Sequence, residues 1–307
     1  MVFRDTGNKP LLGHVTDSKC KPDITAAFDN HWQGDVALWP CVRLAGEKAS
    51  SGKSKEDQKK QAISYLHYLL LARPDLHVAQ GMLISDERIL FLVGIGGIGI
   101  RSLPVPWDQK TLSNLMYAFI YRLYMPAHFA DPSYLNVKLD VSKNSVEYTL
   151  RIALPQTDPI DCPGFFPLFA GSPFGTRTHV LANPLSKVRV NNRDLIVIKD
   201  QLCRLDTRFD EQAILNDIHR PVKVPGVVEA AHSETINTPL SKGKQKHRIG
   251  LRQSGSPFMS IPTVQKMLET LYDVLEGTSG SIGRPRWLTC LQCCDICVSS
   301  ATSFIGI

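Results

Sequence analysis

An apolar run that ends in a lysine, Leu195-Ile-Val-Ile-Lys199, precedes a stretch whose helical spacing puts Glu211 near its start. Upstream lies Gly171-Ser-Pro-Phe-Gly175, a glycine-containing turn that leads into another apolar run. A strand lysine followed by a helix glutamate can steady the α- and β-phosphates of a nucleotide, the glutamate holding the lysine by an ion pair. Glycines let the backbone come close to such phosphates. A lone strand lysine is ordinarily a surface residue; the ordered set of turn, strand, strand with Lys199 and helix with Glu211 is what points to phosphate chemistry.

A second constellation pairs Asp23, in Lys21-Pro22-Asp23, with Gly46-Glu47-Lys48. Two carboxylates can hold Mg²⁺, and a lysine beside them can assist an attacking water. The arrangement resembles the restriction-endonuclease-like metal core, in which an Asp is followed by Glu-x-Lys on the next strand. Residues two apart on a strand share a face. Glu47 and Lys48 are adjacent, so they are expected on opposite faces unless a bulge intervenes. The plainer alternative is a structural or docking domain with an acidic pocket.

Other motifs read as structure. Gly94-Ile-Gly96-Gly-Ile-Gly99 matches G-x-G-x-x-G, but a dinucleotide site needs a helix to begin there. Here the glycines lead into Ile100-Arg-Ser-Leu-Pro-Val-Pro-Trp107, so they are expected to form a turn between two strands. Cys290, Cys293, Cys294 and Cys297 lack the longer loop between pairs that a four-cysteine zinc site needs, and no histidine follows in range. Trp32, Trp39 and Trp107 are expected as core anchors, and His67 and His77 as satisfied or exposed side chains.

The elements that would position these residues follow from periodicity. Residues 1–18 read as a weakly ordered lead-in. Ile24 to Phe28 and Val36 to Leu44, the latter interrupted by Pro40, read as strands, and residues 49–56 as a loop. Gln58 to Leu71 has helical spacing and is ended by Arg73-Pro74. Val78 to Ile84, Ile89 to Val93 and Ile98 to Leu103 read as consecutive strands, broken by Pro104 and Pro106. Leu112 to Tyr124 reads as a helix, and Tyr134 to Leu139 with Ser145 to Ala153 as a hairpin. Residues 154–165 carry three prolines and read as a linker. Beyond it, strands are expected at Val180 to Ala182, Val188 to Val190, Leu195 to Lys199 and Gly226 to Ala231. Helices are expected at Glu211 to His219 and Val264 to Leu275, and a basic loop at 238–248.

The chain has 307 residues, 43% of them hydrophobic and 21% charged, enough for two domains with a core. Its formal net charge is +6, partly from clusters at Lys53/Lys55/Lys59/Lys60 and Lys242/Lys244/Lys246/His247/Arg248. Neither cluster interleaves aromatics, which argues against a nucleic-acid surface. The sequence has no signal-peptide run and no 18-residue apolar window, so a membrane span is not expected. The expected location is intracellular, cytoplasmic or nuclear, with reduced thiols.

Four longer segments carry a family resemblance: Lys19-Cys-Lys-Pro-Asp-Ile-Thr-Ala-Ala-Phe28, Leu71-Ala-Arg-Pro-Asp-Leu76, Val197-Ile-Lys-Asp-Gln-Leu-Cys203 and His247-Arg-Ile-Gly-Leu-Arg-Gln-Ser-Gly-Ser-Pro-Phe258. They resemble the fungal-type protein kinase family over about residues 19–276. The resemblance implies an α+β chain: an N-terminal α/β (restriction-endonuclease-like) region at 19–155, then an incomplete protein-kinase-like N-lobe at 156–276. It implies ATP and Mg²⁺ as ligands and a protein substrate or partner. Lys199 would bind phosphate with Glu211 as its partner, Gly171 and Gly175 would cover the phosphates, and 227–236 would lead to the adenine hinge. His-Arg-Asp and Asp-Phe-Gly do not occur in this sequence, and residues 277–307 depart from the family, as a shifted frame or retained intron would. Catalytic inactivity as a kinase is therefore expected, along with an exposed apolar face on 264–275 and poor solubility.

Overall fold

The structure is a computed structural model. It describes residues 1–252 apart from 8, 15–19, 34–35, 126–129, 141–144, 155–156, 206–210, 221–227 and 238–242, together with residues 263 and 265. The helix expected at Val264 to Leu275, the cysteine-rich tail and residues 226–227 therefore lie outside the described residues, apart from Gln265. What is described is a mixed α+β protein, mostly strands with three α-helices. It forms two compact units: Met1–Ser186 with Ile198–Leu205 and Glu234–Arg248, and Lys187–Val197 with Asp206–Ser233 and the chain from Ile249.

The first unit opens with β1 (Val2–Asp5), which pairs antiparallel with β2 (Ile24–Ala27). The expected lead-in is thus an edge strand in part. A two-residue ladder follows, β3 (Trp32–Gln33) with β4 (Val36–Ala37). Then the chain makes a 3₁₀ turn at Trp39–Cys41, and β5 (Leu44–Lys48) begins only after it. The strand expected at 36–44 is corrected here: Pro40 removes a ladder donor and starts the 3₁₀ turn. Helix α1 (Lys55–Ala72) crosses over to β6 (Val78–Ile84), parallel to β5. β7 (Arg88–Ile95) and β8 (Gly99–Pro106) complete a sheet of order β1–β2–β5–β6–β7–β8. Pro104 and Pro106 do not break the run as expected, because β8 is an edge strand and their missing donors face outward.

Alternation along the strands fills both faces of this sheet. Ala45, Ala79, Leu83 and Leu92 meet Ala62, Leu66, Leu69 and Leu70 of α1. Ala26, Leu44, Met82, Phe91 and Val105 meet Phe119 and Leu123 of α2 (Leu112–Tyr124) on the other. Ser54 caps α1, its hydroxyl accepting from the Asp57 amide at 3.1 Å. The glycine motif is a hairpin turn between β7 and β8, as expected, with Gly97 at φ 74°.

The larger sheet uses β9 (Tyr134–Asp140), β10 (Ser145–Leu154), β11 (Thr157–Ala170), β12 (His179–Ala182), β15 (Val197–Arg204), β16 (Ala230–Ile236) and β17 (Lys244–Leu251). Its order is β16–β17–β15–β12–β11–β10–β9. Residues 198–204, 234–236 and 244–248 of the last three strands belong to the first unit. Two expectations are corrected here. The proline-rich linker is the first part of β11, paired with β10 through 157–165; Pro159 and Pro163 are tolerated because β12 joins β11 only from Phe166. Gly164, at φ 76°, takes up a bulge in that ladder. The basic loop expected at 238–248 is strand β17 from Lys244 onward.

In the second unit β13 (Arg189–Val190) and β14 (Arg193–Asp194) form a tight hairpin. Asn191 and Asn192, at φ 52° and 60°, supply the left-handed pair that such a turn requires. Helix α3 (Glu211–His219) has the expected bounds. Within this unit Arg252 pairs with Glu229 at 2.7 Å, and Arg193 donates to Ala230 O at 2.8 Å.

Candidate functional site

Asp23 and Glu47 are placed by neighbouring strands. Asp23 stands just ahead of β2, and its Oδ2 accepts the Lys48 amide at 3.0 Å. Glu47 is on β5 and points toward α1, 2% exposed, while Lys48 is exposed. The expected split of these adjacent residues to opposite faces therefore holds. Lys48 instead lines an open pocket of about 220 Å³ with Phe3, Arg4, Asp5, Asp23 and Ile24.

Around Glu47 the structure assembles three side chains that no sequence motif joins to it. Tyr65 Oη donates to Glu47 Oε2 at 3.0 Å, and Gln61 Nε2 donates to Tyr65 Oη at 2.6 Å. Lys53 Nζ reaches Glu47 Oε1 at 3.5 Å and Gln61 Oε1 at 2.6 Å. Glu47, Lys53, Gln61 and Tyr65 thus close a ring. Burial raises the pKa of Glu47, the charge of Asp23 raises it further, and Tyr65 and Lys53 act against both. A buried carboxylate whose ionisation is disfavoured is one a positive charge would relieve. Among the described residues no group of three or more His, Cys, Asp or Glu converges as a metal cage. Both Glu47 oxygens accept within the protein, from Tyr65 and Lys53, and Asp23 Oδ2 accepts the Lys48 amide.

The glycine turn behaves differently. Gly171 and Gly175 lie between β11 and β12, in a turn that runs into a strand as expected. The Gly171 amide donates to Thr178 O at 2.7 Å, and the amides of Gly175 and Arg177 donate to Ser172 O at 3.3 and 3.1 Å. Its carbonyls are used as well: Pro173 O accepts the Gly97 amide at 2.7 Å, Thr176 O accepts the Leu202 amide at 2.7 Å, and Gly175 O accepts Lys244 Nζ at 3.3 Å. Arg177 is held at φ 43° with its side chain buried, donating to Arg73 O at 3.0 Å and to Leu76 O. Burial and the neighbouring Arg177 keep His77 at about 4 and His179 at about 3, so both are neutral at pH 7. So arranged, the amides of Gly171, Gly175 and Arg177 are taken up by carbonyls of the turn itself.

Lys199 sits on β15 in the first unit with its side chain 1% exposed, and Glu211 opens α3 in the second. Of the tryptophans, Trp39 is fully buried, Trp32 is partly buried with the Arg4 guanidinium 4.6 Å from its ring, and Trp107 is 42% exposed. The anchor expected at Trp107 is corrected; its Nε1 instead donates to Ser85 O at 2.7 Å.

The densest polar cluster lies next to Lys199 and was not anticipated. Asp200 accepts Arg248 Nε and Nη2 at 2.7 Å each, Lys246 Nζ at 3.0 Å and Tyr134 Oη at 2.8 Å. Lys246 also pairs with Asp131, and Arg248 donates to Arg151 O at 2.9 Å and Ser133 Oγ at 3.0 Å. Arg248 is 0% exposed. The signal was present in the sequence: Lys244, Lys246 and Arg248 alternate at period two, which on a strand is one face.

Comparison with protein families, with curated proteins and with solved structures finds no match to this chain. No α-helix among the described residues is long and apolar enough to cross a membrane.

Proposed function

We propose that these residues form a protein-kinase-like binding module that does not itself move phosphate. The order of elements supports the kinase-like part: a glycine turn, a strand, a further strand with Lys199, then a helix opened by Glu211. In this order a kinase carries its phosphate lysine and the glutamate that orients it. The observation that carries the reading is the closure of residues 171–178, whose amides answer their own carbonyls while Gly97, Leu202 and Lys244 take up others. That turn works as an internal clasp rather than a cradle. The module's ligand is then a protein partner.

The test is titration of the purified chain with ATP and Mg²⁺, read by thermal shift and calorimetry. A ligand at 100 times its Kd stabilises a fold by about 2.7 kcal/mol. The expected outcome is no shift at millimolar ATP, in the native chain and in Lys199→Met alike. A sub-millimolar Kd abolished by Lys199→Met would refute the reading and make Lys199 a phosphate ligand.

A second reading is favoured by the Asp23–Glu47 pair: Mg²⁺-dependent cleavage of a phosphodiester. Asp23 and Glu47 would hold the cation, which would neutralise phosphate charge and activate water. Its test is Mg²⁺-dependent nicking of plasmid DNA, lost on Asp23→Ala. Nicking that survives Asp23→Ala assigns the activity elsewhere.

A further inference from the structure

We infer that Arg43 and His31, which share the Phe28 ring, bind the carboxylate of an acidic side chain, and that the tyrosines of α2 receive the residues beside it. The inference deepens the first reading above by naming the chemistry of the protein partner, and it rests on that reading.

The local chain brings both side chains to one aromatic ring. Arg43 stands just ahead of β5, where its amide donates to Ala26 O at 2.8 Å. Its guanidinium lies 5.2 Å from the centre of the Phe28 ring. The His31 ring, on a 3₁₀ turn at Asp29–His31, meets the same ring edge-on at 5.7 Å. Arg43 Nε and His31 Nδ1 are buried without a hydrogen-bond partner. Asp75, the carboxylate that faces Arg43, is already held by Arg73 at 2.8 and 2.6 Å. Burial and the charge of Arg73 lower the Arg43 pKa to about 10, and burial, then Arg43 and Arg73, lower that of His31. A half-buried cation with no anion of its own costs free energy that a ligand's anion would return.

The charge of the site selects among anions. With its pKa lowered, His31 is neutral at pH 7 and offers an N–H donor rather than a charge. One net positive charge matches a carboxylate, which a planar guanidinium takes in a two-point fork. A phosphate monoester, at about −2, would be left half-neutralised. The surface beside the site is aromatic. Tyr124 meets Phe28 at 6.3 Å, and its Oη donates to Met1 O at 3.4 Å. Tyr121 and Tyr117 follow along α2, stacked at 6.2 Å and 22°, and are 47% and 71% exposed. From Leu112 to Met125 the one charged residue is Arg122, and there is no acid. Exposed tyrosines that lead to an arginine without an anion have the make-up of an interface core. They complement a peptide in which acidic residues stand beside aromatic or apolar ones.

The full chain is titrated into a fluorescein-labelled random copolymer of glutamate and tyrosine, read by anisotropy. Salt is kept at about 0.15 M, where screening within about 8 Å removes the long-range pull of the chain's net charge. Arg43→Gln is expected to weaken binding about tenfold or more, the loss of a charge-assisted hydrogen-bonded pair. The double variant Tyr117→Ala with Tyr121→Ala should weaken it a few-fold. Lys60→Gln, at an exposed cation of α1 across the sheet from α2, should leave it unchanged. Two readouts separate a ligand site from a structural arginine. Without copolymer, Arg43→Gln should melt no lower than the native chain, since its guanidinium has no partner to lose. With copolymer bound, the His31 ring, followed by nuclear magnetic resonance, should titrate at higher pH. Glutamate homopolymer should displace the copolymer; displacement by inorganic phosphate or a thymidine oligonucleotide at lower concentration overturns the carboxylate class. Equal binding by the native chain and Arg43→Gln, no binding by the native chain, or a melting loss of several degrees in Arg43→Gln overturns the site. Failure at Arg43 leaves the binding-module reading standing with another ligand, whereas ATP binding abolished by Lys199→Met overturns that reading whatever the copolymer does.

Discussion

Asp200→Asn keeps the side chain's shape and removes its charge, and it strikes the best-connected carboxylate in the first unit. In the native chain that carboxylate takes two donors from Arg248 at 2.7 Å, one from Lys246 at 3.0 Å and one from Tyr134 at 2.8 Å. The amide leaves two buried cations with only Asp131 beside Lys246 and, at 3.5 Å, Glu234 beside Arg248. Breaking a buried ion pair from one side costs about 3–5 kcal/mol, because the surviving charge has neither water nor partner. At about 2–4 °C per kcal/mol for a fold of this size, Tm should fall by roughly 6–20 °C. Urea denaturation at pH 7, followed by circular dichroism, measures the difference directly.

The same residue sets a pH signature. Burial alone would raise the Asp200 pKa, but Arg248 and Lys246 outweigh it and hold the carboxylate far below its usual range. A carboxylate depressed in the folded state contributes stability above its unfolded pKa of about 3.9, and that contribution is lost as the pH falls below it. The native chain should therefore lose stability on acidification from about pH 4 downward, with a shallower fall in Asp200→Asn, so that the two curves converge. A variant within about 1 kcal/mol of native at pH 7 would refute the argument, since no buried-pair penalty is that small. Parallel acid limbs would refute it equally.

Four further outcomes follow from the first unit. Tyr65→Phe removes the hydroxyl between Gln61 and Glu47 and should cost about 1–2 kcal/mol in urea denaturation. Leu66→Ala, at 0% exposure under α1, should cost about 2–5 kcal/mol through the cavity it leaves. Gly97→Ala should cost about 1 kcal/mol or more, because φ is 74° and the new methyl would lie 2.6 Å from Leu202 Cδ1; Gly52→Ala, in open space, should stay within about 0.5 kcal/mol. For Glu47→Gln the sign is the reverse of Asp200: a raised carboxylate pKa stabilises below the unfolded value and loses that contribution as pH rises. The variant should gain on the native chain as pH rises above the unfolded glutamate value of about 4.3, which parallel melting curves across that rise would contradict.

Where one signal dominated, the sequence was readable. The spacing of Leu66, Leu69 and Leu70 marks α1, and the expected bounds of α2 and α3 agree with the structure. The consecutive runs at 78–106 became a meander, with β6 and β7 apolar enough to be covered and β8 largely exposed at the edge. Proline misled in both directions. Prolines 104, 106, 159 and 163 stay within strands, where outward-facing edges tolerate them, whereas Pro40 ends the strand expected there by starting a 3₁₀ turn. Whether a proline ends a strand depends on which neighbour its missing donor would have met, a property of the sheet and not of the local sequence.

The polar sites divide along the same line. The opposite facing of Glu47 and Lys48 follows from strand geometry, so it could be read in advance. Lys53, Gln61 and Tyr65 could not be joined to Glu47, because their meeting depends on how α1 lies across β5 and on a loop pinned by Gln58. For Lys246 and Arg248 the period-two signal was there, but a run of five basic or polar residues reads as solvated until a carboxylate is found to face it. Asp200, Asp131 and the strands between them supply that partner across separations of 46 and 115 residues. A buried cation is thus legible only together with its anion, and here the anions arrive through the order of a sheet. This is why the larger sheet, with Lys199 on one of its strands, is the half of the chain where the residue types alone said least about which charges face solvent and which face each other.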